Sequence, residues 1–368
     1  MEDKNIMLNK KVTFFISSLN GGGAEGVCIN LANTLSKRGW NITIVILNLK
    51  NAEYKNRIED SVELISLNVS NSRYAFFKMR KLFIDNNFQK VVAFDYIMTI
   101  LLVFTRVTLK NKFFIIMRNI NTLSQKENIK KTFKQNIVYY LLNKIFFKID
   151  YIVNQCNAMR DDLLSIHKLN PKNMTVIYNP VNKRIEDTST NSSDIKKEDF
   201  FLCVGRLEKQ KSFEYAIKAF ANISKLHPNF RLKIVGKGSL ETYLKKITIE
   251  CGIENKIDFE GFQQDIIPYY QKAAATVLTS MYEGFPNVLI ESITLGTPVI
   301  SFDCPSGPNE IIEEGLNGYL IKYQNIDDLS LKMLKVIENK LDSKIIVSTS
   351  KKYSVENTII QWEKLLIQ

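Results

Sequence analysis

The sequence predicts an α/β protein made of two doubly wound, Rossmann-like domains that face each other across a cleft. Three observations carry that expectation. The chain is 368 residues long, beyond the size at which one hydrophobic core keeps growing. Buried-strand runs alternate with helical patterns along most of it, as parallel βαβ units require. Strand, glycine-led turn and helix also occur in succession twice, over Lys11–Lys37 and again over Phe200–Ser224, with the polar run Lys183–Asp199 between them. The expected layout is a first domain over residues 1–180, a linker over 181–199, a second domain over 200–350, and a closing segment over 351–368. The helical pattern Val355–Leu366, with Trp362, is expected to cross back onto the first domain.

In the first domain Lys11–Leu19 reads as a buried strand, Asn20–Gly26 as a glycine-rich turn, Val27–Lys37 as a helix ended by Gly39, and Ile42–Leu47 as the next strand. The turn lacks the G-x-G-x-x-G spacing of a dinucleotide site and the G-K-[ST] of a P-loop. Three consecutive glycines let backbone amides approach a ligand closely, and they also suit a plain tight turn. Further on, strands are expected at Val62–Leu67, Lys90–Phe94, Phe113–Met117, Tyr151–Asn154 and Met174–Ile177. Helices are expected at Arg73–Asp85, Ile97–Phe104 and Asn157–Ser165, and an amphipathic one at Ile129–Lys148. Arg118 ends one of the strands, where a solvated arginine is the alternative to a functional one.

The second domain repeats the alternation. Strands are expected at Phe200–Val204, Arg231–Val235, Ile257–Gly261 and Ala275–Thr279, with helices at Phe213–Ser224, Leu240–Glu250 and Ile266–Ala273. Arg206 and Lys211 lie in the turn Gly205–Lys211, a pair suited to a phosphate, or otherwise a basic surface loop. The stretch Ser280–Ile321 sets Glu283 and Glu291 eight positions apart around GFPNVLI. A helix is expected from Pro286 or Asn287, so that its free amides and positive dipole end suit a phosphate. Taken alone, two such glutamates also suit a solvated helix end. Cys304–Pro308 reads as a turn after the strand at Val299–Ile300, and Asn309–Glu314 as a short helix.

Composition narrows the classes. Hydrophobic content of 45% and charged content of 24% are those of an ordinary globular protein. The net charge is +12, and between Arg106 and Lys148 ten basic residues stand against Glu127 alone. Interleaved aromatics there suit core packing, an anionic membrane surface or nucleic acid, and no nucleic-acid motif accompanies them. The five scattered cysteines form no C-x-x-C, which argues for a reducing compartment and against a disulfide framework or zinc site. Two isolated histidines, His167 and His227, read as surface residues and give no triad or metal centre. Val91–Phe104, broken by Asp95, is shorter than the roughly 20 residues a span needs. The N-terminal MEDKNIMLNKK does not read as a signal peptide. The expectation is a cytoplasmic protein held peripherally on the inner face of the membrane.

Taken together, these motifs resemble the retaining, nucleotide-sugar-dependent glycosyltransferases of family four, which have the GT-B architecture. The resemblance rests on E-x7-E at Glu283 and Glu291, G-R-x-x-x-x-K at Arg206 and Lys211, G-G-A-E from Gly22, and N-P-V from Asn179. It implies an acceptor-binding first domain and a donor-binding second domain. It places Gly22 and Gly23 near the donor diphosphate or the acceptor, and Arg206 and Lys211 on the diphosphate. The donor set further includes Gly236, Phe285 and the amides of Asn287, Val288 and Leu289, with the base near Gly261 and Phe262. Glu283 would hold sugar hydroxyls and Glu291 the ribose, with Glu283 as a covalent nucleophile the alternative. Many relatives carry histidine where this chain has Arg118, so a charge-stabilising or acceptor-binding role is expected of Arg118 instead.

The implied reaction moves a hexosyl group with retention, without metal or other cofactor, and the chain has no D-x-D triplet. C-P-S-G-P followed by N-E-I-I is similar to members that use UDP-linked galactose or N-acetylgalactosamine. The expected acceptor is an undecaprenyl-pyrophosphate-linked glycan of an O-antigen or capsule at the inner leaflet, with Lys126, Lys130, Lys131 and Lys134 facing membrane or acceptor. A nucleotide-sugar-binding protein without turnover, a GT-B epimerase and a nucleic-acid binder are the alternatives.

Overall fold

A computed structural model describes residues 10–70, 74–124, 133–191 and 195–368. The chain divides into two compact units, Met1–Pro180 with Val355–Gln368, and Val181–Ser354.

The first unit is a seven-stranded sheet in the order β3-β2-β1-β4-β5-β6-β7. Its strands are β1 Lys11–Phe15, β2 Asn41–Ile46, β3 Glu63–Ser66, β4 Lys90–Ala93, β5 Phe114–Arg118, β6 Tyr151–Asn154 and β7 Met174–Val176. All neighbours are parallel. Because side chains alternate across a strand, both faces must be covered. Phe14, Ile44, Val92 and Ile116 pack with helix Gly23–Lys37 and with Trp362 and Ile359 of the C-terminal helix. Phe15, Val45, Val91 and Ile115 pack on the other face with helices Ala75–Asp85, Tyr96–Val107 and Phe133–Ile145.

The C-terminal helix Val355–Ile367 therefore completes the first core. Arg38 joins it through Glu356 at 3.2 Å and Glu363 at 2.8 Å, and Trp40 Nε1 donates to Glu363 Oε1 at 3.0 Å. Residues 351–353, expected in this closing segment, instead form a turn of 3₁₀ helix in the second unit.

The second unit is a six-stranded parallel sheet in the order β10-β9-β8-β11-β12-β13. Its strands are β8 Phe200–Val204, β9 Arg231–Val235, β10 Ile257–Gly261, β11 Ala275–Leu278, β12 Val299–Asp303 and β13 Gly318–Lys322. Helices Phe213–Ser224, Glu241–Glu250 and Ile326–Glu338 share one core with the sheet. Helix Asn287–Thr294 packs against Ser343–Thr349 and Lys183–Asn191. In both sheets the strand order reverses once, between β1 and β4 and between β8 and β11. Such a reversal opens a ligand crevice at the carboxyl ends of the two strands.

Several expectations change. The polar run 181–199 carries helix Lys183–Asn191 and belongs to the second unit. Lys183 and Asp187 pair one turn apart, and Lys183 also reaches Glu186 at 3.6 Å, exposed pairs that add only a few tenths of a kcal/mol each beside the packing of this helix on Asn287–Thr294. The helix expected at 309–314 is Pro308–Ile311, with Ile312 already extended. The amphipathic helix expected over 129–148 is described from Phe133 and ends at Ile145, where a 3₁₀ turn takes over. Residues 125–132, which include Lys126, Lys130 and Lys131, lie outside the described residues, as does the side chain of Lys134. His167 is half-buried, its ring centroid 4.5 Å from that of Phe146, rather than a surface residue.

Candidate functional site

Several of the sequence candidates lie at the two strand-order reversals, one in each unit, while Arg118 ends β5, Gly236 follows β9, and Gly261 and Phe262 lie at the end of β10. In the second unit the loop after β8 carries Arg206 and Lys211, and the loop after β11 carries Glu283. Lys211 Nζ lies 2.7 Å from Glu283 Oε1, the lysine side chain 16% and the glutamate 9% exposed. Ser280 Oγ donates to the same oxygen at 2.6 Å. Arg206, on the same loop as Lys211, is exposed, and its charge acts on the Tyr282 hydroxyl next to Glu283.

Backbone and side-chain bonds stitch the two loops together. Met281 N donates to Gln210 O at 2.8 Å, and Gln210 Nε2 to Tyr282 O at 2.9 Å. Thr279 Oγ1 donates to the carbonyls of Lys211 and Ser212 at 3.0 and 2.9 Å. Ser212 sits in the left-handed region at φ 46°, ψ 45°, a strained conformation for a residue with a side chain. The Thr279 bond helps to hold it there, and so sets where Lys211 points.

Gly236 has a structural reason of its own. A Cβ there would lie 1.8 Å from the Gly205 carbonyl oxygen, so the β8 and β9 loops approach closely only because this side chain is absent. Gly307, at φ +98°, is packed against Pro286 in the same way, a Cβ falling 2.5 Å from the proline ring. The Cys304–Pro308 turn thereby props the start of helix Asn287–Thr294. Burial pushes the Cys304 thiol up, and the nearby Glu283 acts in the same direction, so this cysteine stays protonated.

At that helix start the positions differ in what they offer. Leu289 N donates to Pro286 O at 2.9 Å, so the expected Leu289 amide is committed within the chain. The Phe285 ring is buried, its centroid 5.6 Å from that of Tyr353. Asn287 and Val288 are half-buried at the helix start. Glu291 accepts from Tyr270 Oη at 2.8 Å. Burial first, then the carboxylate beside it, holds the Tyr270 hydroxyl well above the usual tyrosine value, so it remains a donor. Sequence reasoning missed Tyr270 and Ser280, which orient the two glutamates. Gly261, at φ +66°, leads into Phe262, half of whose surface is exposed.

In the first unit the loop after β1 turns at Gly21, φ +94°, and helix Gly23–Lys37 starts with Gly22 as its cap. Carboxylates occupy this entrance. Ser18 Oγ donates to Glu25 Oε1 at 3.0 Å, and a Cβ at Gly21 would meet Glu53 Oε2 at 2.9 Å. That charge disfavours a diphosphate here and suits hydroxyl groups. Opposite the β1 loop, Asp95 caps helix Tyr96–Val107, accepting from Met98 N at 2.9 Å and from Ser17 N at 2.6 Å. Burial raises its carboxyl above the usual range, while these bonds oppose the rise.

Arg118 is 2% exposed, so the alternative of a solvated strand end does not hold. Its Nη2 donates to Asn179 Oδ1 at 2.5 Å, and its guanidinium carbon lies 5.7 Å from the Phe94 ring centroid. Burial lowers its pKa to about 10, which leaves it charged at neutral pH. A network of amides surrounds it. Asn179 Nδ2 donates to Gln155 Oε1 at 2.9 Å, and Gln155 Nε2 to Asn119 O at 2.7 Å. Asn119 bonds Tyr96 Oη at 2.7 Å and Asn154 at 3.0 Å. Sequence reasoning passed over Asn119, Asn154 and Gln155. Their signal was an asparagine at or just past the end of each of three successive strands, β5, β6 and β7, the third being Asn179.

Comparisons with known proteins fit this arrangement. A family profile described as Glycosyltransferase Family 4 matches residues 21–184, and one described as Glycosyl transferases group 1 matches residues 185–353. The chain belongs to the family-four glycosyltransferases. It is 26% identical over 347 residues to a Campylobacter jejuni N-acetylgalactosamine-N,N'-diacetylbacillosaminyl-diphospho-undecaprenol 4-alpha-N-acetylgalactosaminyltransferase, covering 90% of this chain and 91% of that protein. It is 31% identical over 212 residues to the lipopolysaccharide 1,6-galactosyltransferase of Salmonella typhimurium, covering 55% and 57% of the two chains. Among solved structures, the outer core galactosyltransferase WaaB superimposes with a TM-score of 0.74 at 22% identity over 96% of this chain and 98% of that one. HepE of Anabaena, in complex with UDP and glucose, gives 0.77 at 18% over 96% and 98%. These two show the fold, two Rossmann-like units of the GT-B type. Among the described residues no helix is long and apolar enough to cross a membrane, and no group of three or more His, Cys, Asp or Glu is placed to hold a metal ion.

Proposed function

We propose that this glycosyltransferase moves galactose or N-acetylgalactosamine from its UDP-linked form, with retention and without metal, onto a lipid-diphosphate-linked glycan in surface polysaccharide assembly. The observation that carries the reading is the Lys211–Glu283 pair at the reversal of the second sheet, with Arg206 exposed on the same loop as Lys211. The choice of sugar and acceptor takes its support from the activities for which the Campylobacter and Salmonella relatives are named, and UDP from the HepE complex.

In the proposed step the bond from the anomeric carbon to the diphosphate oxygen breaks toward an oxocarbenium-like state. The acceptor oxygen forms its bond to that carbon on the face the diphosphate leaves, and its proton passes to a diphosphate oxygen. Arg206 and Lys211 stabilise the charge that grows on the diphosphate. Glu283 binds sugar hydroxyls. Its Oε1 already accepts from Lys211 and Ser280, which lowers its nucleophilicity and disfavours a covalent role. Glu291, held by Tyr270, binds the ribose, and Phe262 offers its exposed ring to the base.

Membrane attachment is part of the same proposal. Phe77, Phe104, Ile137, Tyr140 and Phe147 are exposed on or beside helices Ala75–Asp85, Tyr96–Val107 and Phe133–Ile145, which pack side by side. Basic residues lie among them, with Lys144 5.7 Å from the Tyr140 ring centroid. That combination suits an anionic lipid surface.

The test is transfer from UDP-galactose and UDP-N-acetylgalactosamine in EDTA to an undecaprenyl-diphosphate glycan, with the product anomer read by NMR. An α-linked product formed without metal supports the reading. Binding of UDP with no transfer to any such acceptor overturns it in favour of a binding protein. An inverted product overturns retention alone.

A further inference from the structure

We infer that Lys237 reads the base of the donor nucleotide, its ammonium donating to a carbonyl oxygen of uracil, and so selects a uridine nucleotide over one whose pyrimidine carries an amino group. The inference rests on the glycosyl-transfer reading above and names the side chain that chooses the nucleotide.

The loop after β9 puts Lys237 on the path of a bound nucleotide. In the second sheet β9 lies between β10 and β8. The exposed Phe262 ring follows β10, while Arg206 and Lys211 follow β8. Those loops are two strand spacings apart, about 10 Å, the scale of a nucleoside diphosphate from its base to its phosphates. A ligand that spans them crosses the end of β9, where Gly236 and Lys237 stand.

The main chain of this loop is fixed on both sides. Toward β10, Gly236 N donates to Gly261 O at 2.8 Å. Toward β8, Leu207 N donates to Lys237 O at 3.0 Å, and a Cβ at Gly238 would fall 2.4 Å from the Leu207 carbonyl oxygen. Only the Lys237 side chain is left to move. It turns toward the base end, its Cε 3.8 Å from where a Cβ of Gly261 would stand. Gly261 has no side chain to block it, and Phe262 is the next residue of the chain.

The ammonium is open. The carboxylates of the two flanking loops are held elsewhere. Glu208 accepts from Ser239 N and Ser239 Oγ, both at 2.9 Å. Glu260 accepts from Tyr269 Oη at 3.0 Å and meets Lys233 Nζ at 3.7 Å. Lys237 is exposed, and among the described residues its Nζ makes no hydrogen bond or ion pair. An ammonium has three donors and no acceptor. Uracil presents carbonyl oxygens where cytosine has one carbonyl and one amino group. A donor-only group bonds the first and meets donor against donor at the amino group, so both an attraction and a mismatch separate the two bases. The same ammonium also suits a phosphate oxygen, and comparing two bases on one diphosphate separates these sources.

The experiment is titration calorimetry of the full chain in EDTA with UDP and CDP, for wild type and Lys237→Met. Unchanged melting temperatures show that the variant folds. The expected result is UDP bound roughly tenfold tighter than CDP by wild type, and a loss of roughly fivefold or more in UDP affinity in Lys237→Met with CDP unchanged, the effect of one charge-assisted bond at an exposed site. Lys237→Glu, which offers an acceptor to the amino group, should lower the preference for UDP over CDP below that of Lys237→Met. Equal losses for UDP and CDP put the ammonium on phosphate and overturn base selection. Affinities unchanged for both nucleotides in both variants overturn any contact. A wild-type chain that binds neither nucleotide overturns the donor reading and this inference together, whereas UDP binding with an unchanged preference in the variants overturns the inference alone.

Discussion

The two units share one strand order up to the last strand of the first sheet, and each places a cation beside its reversal, yet the two cations are held by opposite means. Lys211 is neutralised by Glu283 across 72 residues of sequence, and the loops that carry the pair are laced together by backbone bonds. Arg118 is buried among amides, with a phenylalanine ring at its side and no carboxylate paired to it among the described residues. The comparison teaches that a similar fold can present a cation in two ways. An ion pair keeps a lysine in place before any ligand arrives. An amide cradle keeps a buried arginine charged with no carboxylate paired to it among the described residues.

The comparison breaks most sharply at Glu283. Glu283→Gln should lower the transfer rate by about 100-fold or more, in line with removal of a group that acts on the transition state, while UDP still raises the melting temperature. A loss of UDP binding together with activity would instead make Glu283 a structural partner of Lys211. Next in size is Trp362→Ala, which removes a buried ring from the first core. It should cost about 3–5 kcal/mol, seen by calorimetry as a lowered transition for the first unit, with the UDP-responsive transition unmoved.

Arg206→Ala should weaken UDP binding by roughly 10- to 100-fold, the range for one charge-assisted contact of about 1.5–3 kcal/mol. Titration calorimetry in EDTA measures it, and unchanged affinity would remove Arg206 from the diphosphate. A smaller effect separates the buried cations by pH. Burial lowers Lys197 to about 8 and Arg118 to about 10. A lysine lowered on folding carries its cost below the folded pKa, and the cost fades as pH rises from about 8 toward the usual 10.5. The second unit should therefore gain stability between about pH 8 and 10.5, and Lys197→Met should flatten that gain. The smallest effect concerns the exposed helical face of the first unit. Phe147→Ser with Tyr140→Ser should weaken sedimentation with phosphatidylglycerol vesicles severalfold and leave transfer to a soluble acceptor analogue intact.

Most strands were legible because parallel sheets buried on both faces demand apolar runs, and Phe200–Val204 and Tyr151–Asn154 stand where the pattern puts them. Helix Lys183–Asn191 was not legible as a helix. Its stability comes from packing on Asn287–Thr294 more than from its ion pairs, and its composition reads as linker. At the helix start of the E-x7-E motif, spacing located Glu283 and Glu291. It did not reveal that the Leu289 amide is taken by Pro286, or that the Phe285 ring is turned into packing against Tyr353.

The amino-acid sequence by itself determined the two Rossmann-like halves, the family and the residue types of the candidate site, because periodicity, motif spacing and glycine-led turns are local properties of the chain. Tertiary structure alone decided which charges meet and which are left open. Lys211 and Glu283 are far apart in sequence and come together only because β8 and β11 are neighbours at the reversal of the sheet. Whether Arg118 is a solvated strand end or a buried cation is decided only when Phe94 and Asn179 close around it. Desolvation depends on what lies on every side of a group, and no single stretch of sequence records that.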